Sequence, residues 1–324
     1  VTTASLGSNI FSSSFSPTFS GHETFVLRST WLKKAYDILQ ETPYLFSQED
    51  AFVQLGVGKN MAQSIRFWGR VCGVFERDVS GEGHQPTRFG RALLADDGWD
   101  PFLVTPASWW LLHWNIAARP TAAFTWFYTF NLLRGGEFSQ NRLAEQIQGF
   151  VRERGWREPS ETTIGRDIDC MLRCYLHPSI TRDAVVAEDA LLCPLSELGL
   201  VKALPGQQHA YHLVIGPQPS LPDELVAYAI HELFNESYRQ RDAFQRRTIS
   251  FNELAYAPRS PGRVFRLDED ALLGRLHQLA DITNGAAYYT DQAGIRQVAW
   301  EGDLGPEVSQ VLLSRAFFDE VRHD

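Results

Sequence analysis

Apolar positions recur at helical spacing along the first hundred residues. Leu32, Ala35 and Leu39, flanked by Trp31 and Ile38, follow Ser29 at three- and four-residue intervals, so a helix capped by Ser29 is predicted over about residues 30–41, ended by Pro43. Ser47 and Asp50 predict the start of a short second helix running through Leu55, and GVGKN then turns the chain into a third. In that third helix Met61, Ile65, Trp68 and Cys72 share one face, while Lys59, Gln63, Arg66 and Arg70 share another. VFERDV, the Gly-rich SGEGH and TRFGRALL predict a small β-wing followed by a helix.

The outline recurs twice. Residues 139–154 read as one helix; Ser160 caps another, ETTIGRDIDCMLRCYL, carrying Arg166 and Arg173; LGLVKAL, PGQQH and AYHLVIG form a hairpin. LDEDALLGRLHQLADIT is a third such helix, with AAYYT and IRQVAW joined by DQAG as its hairpin. Between the first two units, residues 101–133 are rich in aromatics. Pro106, His113, Asn115, Arg119 and Pro120 interrupt them before either half reaches the roughly 20 apolar residues needed to span a bilayer. They are read as a buried helical pair, and no membrane association is expected. The fold class is therefore mainly α with small β-wings: tandem winged helix-turn-helix-like modules plus an aromatic-rich helical pair. The domains are a disordered, Ser-rich lead-in (1–18), an N-terminal DNA-contacting module (19–100), the helical pair with a second module (101–216), and a C-terminal helical module with a hairpin (217–324).

At 324 residues, 44% of them hydrophobic, the chain can bury more than one core. A formal charge of −9 opposes coating of nucleic acid, so any such function depends on local patches. Residues 22–91 hold nine Lys/Arg against eight Asp/Glu, the relatively positive third of the molecule. Lysine stands only at 33, 34, 59 and 202, so the basic residues are mostly Arg, suited to bidentate phosphate contacts or merely reflecting a coding bias. Four cysteines are too few for a disulfide scaffold and the start of the sequence carries no secretory pattern, so a cytoplasmic setting is expected.

The candidate DNA-binding residues are the third-helix set Lys59, Asn60, Gln63, Arg66 and Arg70, with Lys33 and Lys34 on the first helix. A solvated helix face is the alternative. In GHETF, His22 or Glu23 could move a proton or hold a metal while Arg28 steadies a phosphate; alternatively the pair only secures the entrance of the first helix. A divalent cation, Mg or Mn, would activate water and offset phosphate charge in such a site, although the sequence leaves its ligands unknown. GVGKN lacks the Gly spacing and the Ser/Thr of a P-loop, so no nucleotide is expected. Cys170, Cys174, His177 and Cys193 lack a C-x-x-C knuckle and read as buried thiols rather than a zinc site. Val26 stands where H-E-x-x-H needs its second His, and no lysine completes a D/E-x-K motif. The acidic positions Asp96, Asp97, Asp100, Asp167 and Asp169 are weak metal candidates.

FSGHETFVLRSTWLKKAYD, LGVGKNMAQSIRFW, TRFGRALLADDGWDPFL, WWLLHWNI, TIGRDIDCMLRCY and EDALLCPLSELGLV occur in this order. Together they resemble the domain-of-unknown-function family that includes the SspB proteins of Ssp DNA phosphorothioation systems. The resemblance implies a bacterial DNA-modification and phage-defence setting, DNA and the other phosphorothioation proteins as partners, and activity as a DNA nickase that opens one strand for sulfur incorporation. It carries over no active-site assignment. The alternatives are a non-catalytic DNA-binding adaptor or regulator recruiting the sulfur-transfer proteins, and a protein-interaction scaffold.

Overall fold

The structure, a computed structural model, describes residues 11, 15–121, 123–177, 193–239 and 247–318. Most of the lead-in and the EDALL stretch of the last family block lie outside the described residues. One compact unit spans Ser14–Val214; the other takes in the described residues from Ile215 onward together with Phe11.

In the first unit, α1 (Ser29–Glu41) buries Trp31, Leu32, Ala35, Tyr36 and Leu39. Arg28, in extended conformation, holds the cap position predicted for Ser29. The second helix is shorter than its pattern suggests: a 3-10 turn at Leu45–Ser47, then α2 over Ala51–Gln54. The reason lies in Ser47, whose hydroxyl donates to the Glu82 carbonyl at 2.6 Å instead of capping a helix, tying this turn to the wing. α3 (Lys59–Val71) follows, with Gly56 at φ +60° supplying the left-handed turn before it. The wing is the antiparallel pair β1 (Phe75–Arg77) and β2 (His84–Pro86), with Phe75 opposite Pro86. Gly69 lets it lie against α3, because a Cβ there would come within 2.0 Å of the Phe75 ring. Thr87 caps α4 (Arg88–Leu94).

The aromatic stretch forms α5 (Pro106–Ala117) and α6 (Phe124–Phe127), the latter continued by one π-helical turn at Tyr128–Leu132. Trp110, Trp126, Phe124, Phe127 and Phe130 are fully buried, which explains a run that is apolar all round. Next come β3 (Glu137–Ser139), α7 (Gln140–Glu153), α8 (Glu161–Tyr175), β4 (Val201–Ala203) and β5 (Ala210–Leu213). Ser139 and Ser160 cap the two helices. The sheet order is β3-β5-β4, antiparallel throughout. Residues 19–100 and 101–214 share this unit, joined by contacts such as the Asn115 Nδ2 donation to the Cys72 carbonyl at 2.9 Å.

The second unit contains α9 (Asp223–Arg239), β6 (Thr248–Ser250), α10 (Phe251–Tyr256), α11 (Pro261–Val264), α12 (Glu269–Ile282), β7 (Ala287–Gln292), β8 (Ile295–Trp300) and α13 (Pro306–Phe318). Its sheet order, β6-β8-β7, repeats that of the first unit's three-stranded sheet. In both, a three-residue strand ends in a serine that caps the next helix, Ser139 or Ser250, and the hairpin closes on that strand. The molecule is mainly helical with small antiparallel sheets. No helix among the described residues is long and apolar enough to cross a membrane.

Candidate nucleic-acid interface

The sequence of α3 fixes which way it faces. Ile65 and Trp68 are fully buried, and the Trp68 indole N–H donates to the Phe25 carbonyl at 3.0 Å, so the helix cannot roll without losing both core area and a buried hydrogen bond. The opposite face presents Lys59, Asn60, Gln63 and Arg70 to solvent, with Arg66 half-buried. A cavity of about 530 Å³ lies along the N-terminal half of this face, lined by Phe46, Phe52, Lys59, Gln63 and Arg66 among others. Among the described residues, no carboxylate forms an ion pair with Lys59, Arg66 or Arg70.

Arg77 from the wing joins this group. Burial lowers the Arg70 pKa, and repulsion from Arg77 and Arg66 lowers it further. His84 on β2 feels the same field: burial, then Arg70, Arg66 and Arg77, bring its pKa from 6.5 to about 4. Its ring lies edge-on to Phe46 and Phe75, and neither ring nitrogen has a hydrogen-bond partner. Cations that repel one another and form no ion pair among the described residues favour an anion here, although Glu49 also lines the cavity.

GHETF occupies a different place. His22 is 1% exposed, surrounded by the rings of Phe67, Trp68 and Trp126. The Thr24 amide donates to its Nδ1 at 3.0 Å, so the imidazole proton sits on Nε2, which donates to Asp167 Oδ1 at 2.7 Å. Asp167, also 1% exposed, accepts further bonds from the Ser20 amide at 2.6 Å and the Thr125 hydroxyl at 2.6 Å. Ser20, Glu23 and Thr24 all take positive φ (63°, 48° and 66°), a conformation that costs a non-glycine residue on the order of 1–2 kcal/mol. The bonds to Asp167 and His22 hold that turn. Gly21 is required because a Cβ would meet the Phe67 ring at 2.4 Å. The Glu23 side chain is half-buried, and Arg28 lays its guanidinium 5.0 Å from the Trp31 ring centroid. His22, Glu23 and Arg28 are therefore brought near one helix entrance, with the imidazole turned inward onto Asp167. That partner was invisible to local spacing, since it stands on α8.

The remaining candidates are mostly engaged. Lys33 pairs with Asp37 and Asp96 at 2.6 and 2.8 Å, and Lys34 donates to the Leu55 carbonyl. Asp100 is buried at the start of α5, accepting from the Val104 and Thr105 amides and the Thr105 and Ser108 hydroxyls. Asp97 is exposed, and Asp169 pairs with Arg173, which also donates to the Thr24 carbonyl. Cys170, Cys174 and Cys193 are buried while His177 is exposed. Among the described residues no three His, Cys, Asp or Glu side chains form a group that could hold a metal ion.

The signature of a family described as protein of unknown function, DUF4007, matches residues 19–316. No curated protein matches the sequence. A crystal structure of magnesium ion-bound SspB superposes with a TM-score of 0.81 at 31% identity, covering 95% of this chain and 89% of that one. A second SspB crystal structure gives a TM-score of 0.80 with the same identity and coverage. With the match running over nearly the whole chain and the fold shared at that identity, the protein belongs to the DUF4007 family, of which SspB is a relative of known structure.

Proposed function

We propose that the protein binds the DNA backbone through α3 within a phosphorothioation system and nicks one strand there. The likeness to SspB points to the system. The observation that carries DNA contact is the face of exposed Lys59, Gln63 and Arg70 with half-buried Arg66, its cations without ion-paired carboxylates among the described residues, on a helix anchored from behind by Trp68. In this reading α1, α2 and α3 with the β1–β2 wing act as a winged helix-turn-helix whose third helix lies along the duplex. The strand–helix–helix–hairpin order of β3-α7-α8-β4-β5, with β5 between the other two strands, supports a second module of that kind. The setting is cytoplasmic, and the partners are DNA and the other proteins of the system.

Nicking rests on kinship. The second reading, a DNA-binding adaptor that recruits the sulfur-transfer proteins, is favoured by the burial of His22, which turns the acid–base candidate of GHETF away from any phosphodiester. One experiment separates them: supercoiled plasmid incubated with the purified full chain, with and without magnesium or manganese. Conversion to open circles supports the nickase. Retarded but intact supercoils make the protein an adaptor, and supercoils neither retarded nor cut at low salt sink both.

A further inference from the structure

A second cavity opens at the other end of the α3 face. It is about 370 Å³ and is walled by α3, β1 and the segment just after α5, its lining including Arg70, Arg77, Arg119, Thr18, Thr121 and Glu76. Three arginines from three separate elements line it, and Arg77 lies close enough to Arg70 to repel it. None of them has a hydrogen bond or ion pair to any carboxylate among the described residues, and Glu76, the one acidic lining residue, is exposed without such a bond. The repulsion between Arg77 and Arg70 is a cost that a bound anion would relieve. Arg119 Nη1 lies beside the turn between α3 and β1, where Gly73 takes φ +75°; a Cβ there would be in ordinary contact with it at 3.4 Å.

From this convergence we infer that Arg70, Arg77 and Arg119 share a single phosphate group, a phosphodiester of the DNA backbone, with the Thr18 and Thr121 hydroxyls as further donors at the rim. The planar forks of three arginines can saturate the oxygens of one phosphate, whereas exposed residues along a helix each take a different one. The site thus differs in kind from the Lys59/Gln63/Arg66 end of α3: it fixes one point of the backbone, and with it the register of α3 on the duplex. It rests on the DNA reading above and adds Arg77 and Arg119, which the helix pattern does not contain.

The test is the salt dependence of duplex-DNA binding by the full chain, followed by fluorescence anisotropy, for the parent, Arg77→Ala, Arg119→Ala and the double variant. Each single change should weaken binding about tenfold or more, consistent with loss of a charge-assisted hydrogen bond. Because the phosphate is shared and Arg70 still holds it, the double variant should fall short of the product of the two effects, and the salt slope should drop by no more than about 0.9 in total. A total drop of about 1.8 with multiplicative losses would mean two separate phosphates and overturn the sharing. Glu76→Gln should tighten binding, since it removes the one negative charge at the rim; unchanged affinity in all these variants overturns the site while leaving DNA binding by the parent intact. If the parent binds no DNA at low salt, the DNA reading fails by itself, and inorganic phosphate titrated calorimetrically into the parent and Arg119→Ala decides the site. Heat seen only with the parent supports a phosphate site whose ligand is free phosphate, and no heat with either overturns it.

Discussion

His22 Nε2 donates to Asp167 Oδ1 at 2.7 Å, joining residues 145 positions apart, both almost wholly buried. With the Ser20 amide and Thr125 hydroxyl on the same carboxylate, this bond pins the left-handed GHETF turn and the α6 region to α8. His22→Ala should lower stability by on the order of 2 kcal/mol or more, the worth of a buried hydrogen bond to a charged group. Asp167→Ala, which strands three donors, should lower it further. Denaturant unfolding checks both. DNA binding and any nicking per folded molecule should be preserved, and lost activity with unchanged stability would return His22 to catalysis.

Trp68→Ala should destabilise by about 3–5 kcal/mol, because it empties a fully buried site on α3 and removes the donor to the Phe25 carbonyl. A melting temperature equal to the parent's would mean that α3 is anchored by something else, and the orientation of its basic face would lose its footing.

How much of this could be read from the chain depends on how local the signal is. α3 and α8 announce themselves through period and caps: Ile65 and Trp68 recur on the buried side, and Ser160 accepts from the Thr163 amide as its position predicts. β3 and β6 do not, since three residues give too short an alternation to register and their last residue, Ser139 or Ser250, reads as a helix cap. The pattern makes α2 too long because Ser47 looks like a cap but bonds the wing. The candidate site divides the same way. Lys59, Gln63, Arg66 and Arg70 lie on one helix and share a spacing, whereas the His22–Asp167 bond and the meeting of Arg70, Arg77 and Arg119 are made by tertiary packing alone.

His84 makes the wing acid-sensitive. Its pKa in the folded protein, about 4, lies below the ordinary 6.5, so as pH falls through that window the unfolded chain takes up a proton that the folded one refuses. Stability should therefore decline as pH falls from about 6.5 to 4. His84→Phe should flatten that part of the stability–pH curve. Arg70→Ala should raise the His84 pKa, seen as an earlier-titrating imidazole proton in NMR spectra.

All four cysteines are buried as free thiols, and burial pushes the Cys72 thiol well above its ordinary range. Because burial keeps all four from the solvent, a disulfide reagent should label none of them in the native protein and all four after unfolding. Elemental analysis should find no stoichiometric zinc. Metal lost on changing Cys170 or Cys193 would recast this core as a metal-held module.

The exposed face of α3 allows the most direct quantitative test. Arg66 and Arg70 lie a helical turn apart, on the side away from Trp68, and neither makes an ion pair among the described residues. Removing them should therefore leave folding nearly untouched, and Arg70→Ala should even relieve repulsion against Arg77. DNA affinity should nevertheless fall in both variants, because a backbone phosphate neutralised by a side chain releases counterions on binding. The log–log salt slope should decrease by about 0.9 for Arg66→Ala. Arg70→Ala should behave differently: where Arg77 and Arg119 remain to hold the same phosphate, affinity drops but the slope changes by less than a full contact. A double variant with the parent's affinity, slope and melting temperature would reduce this face to an ordinary solvated helix surface, and DNA contact would have to be sought elsewhere in the molecule.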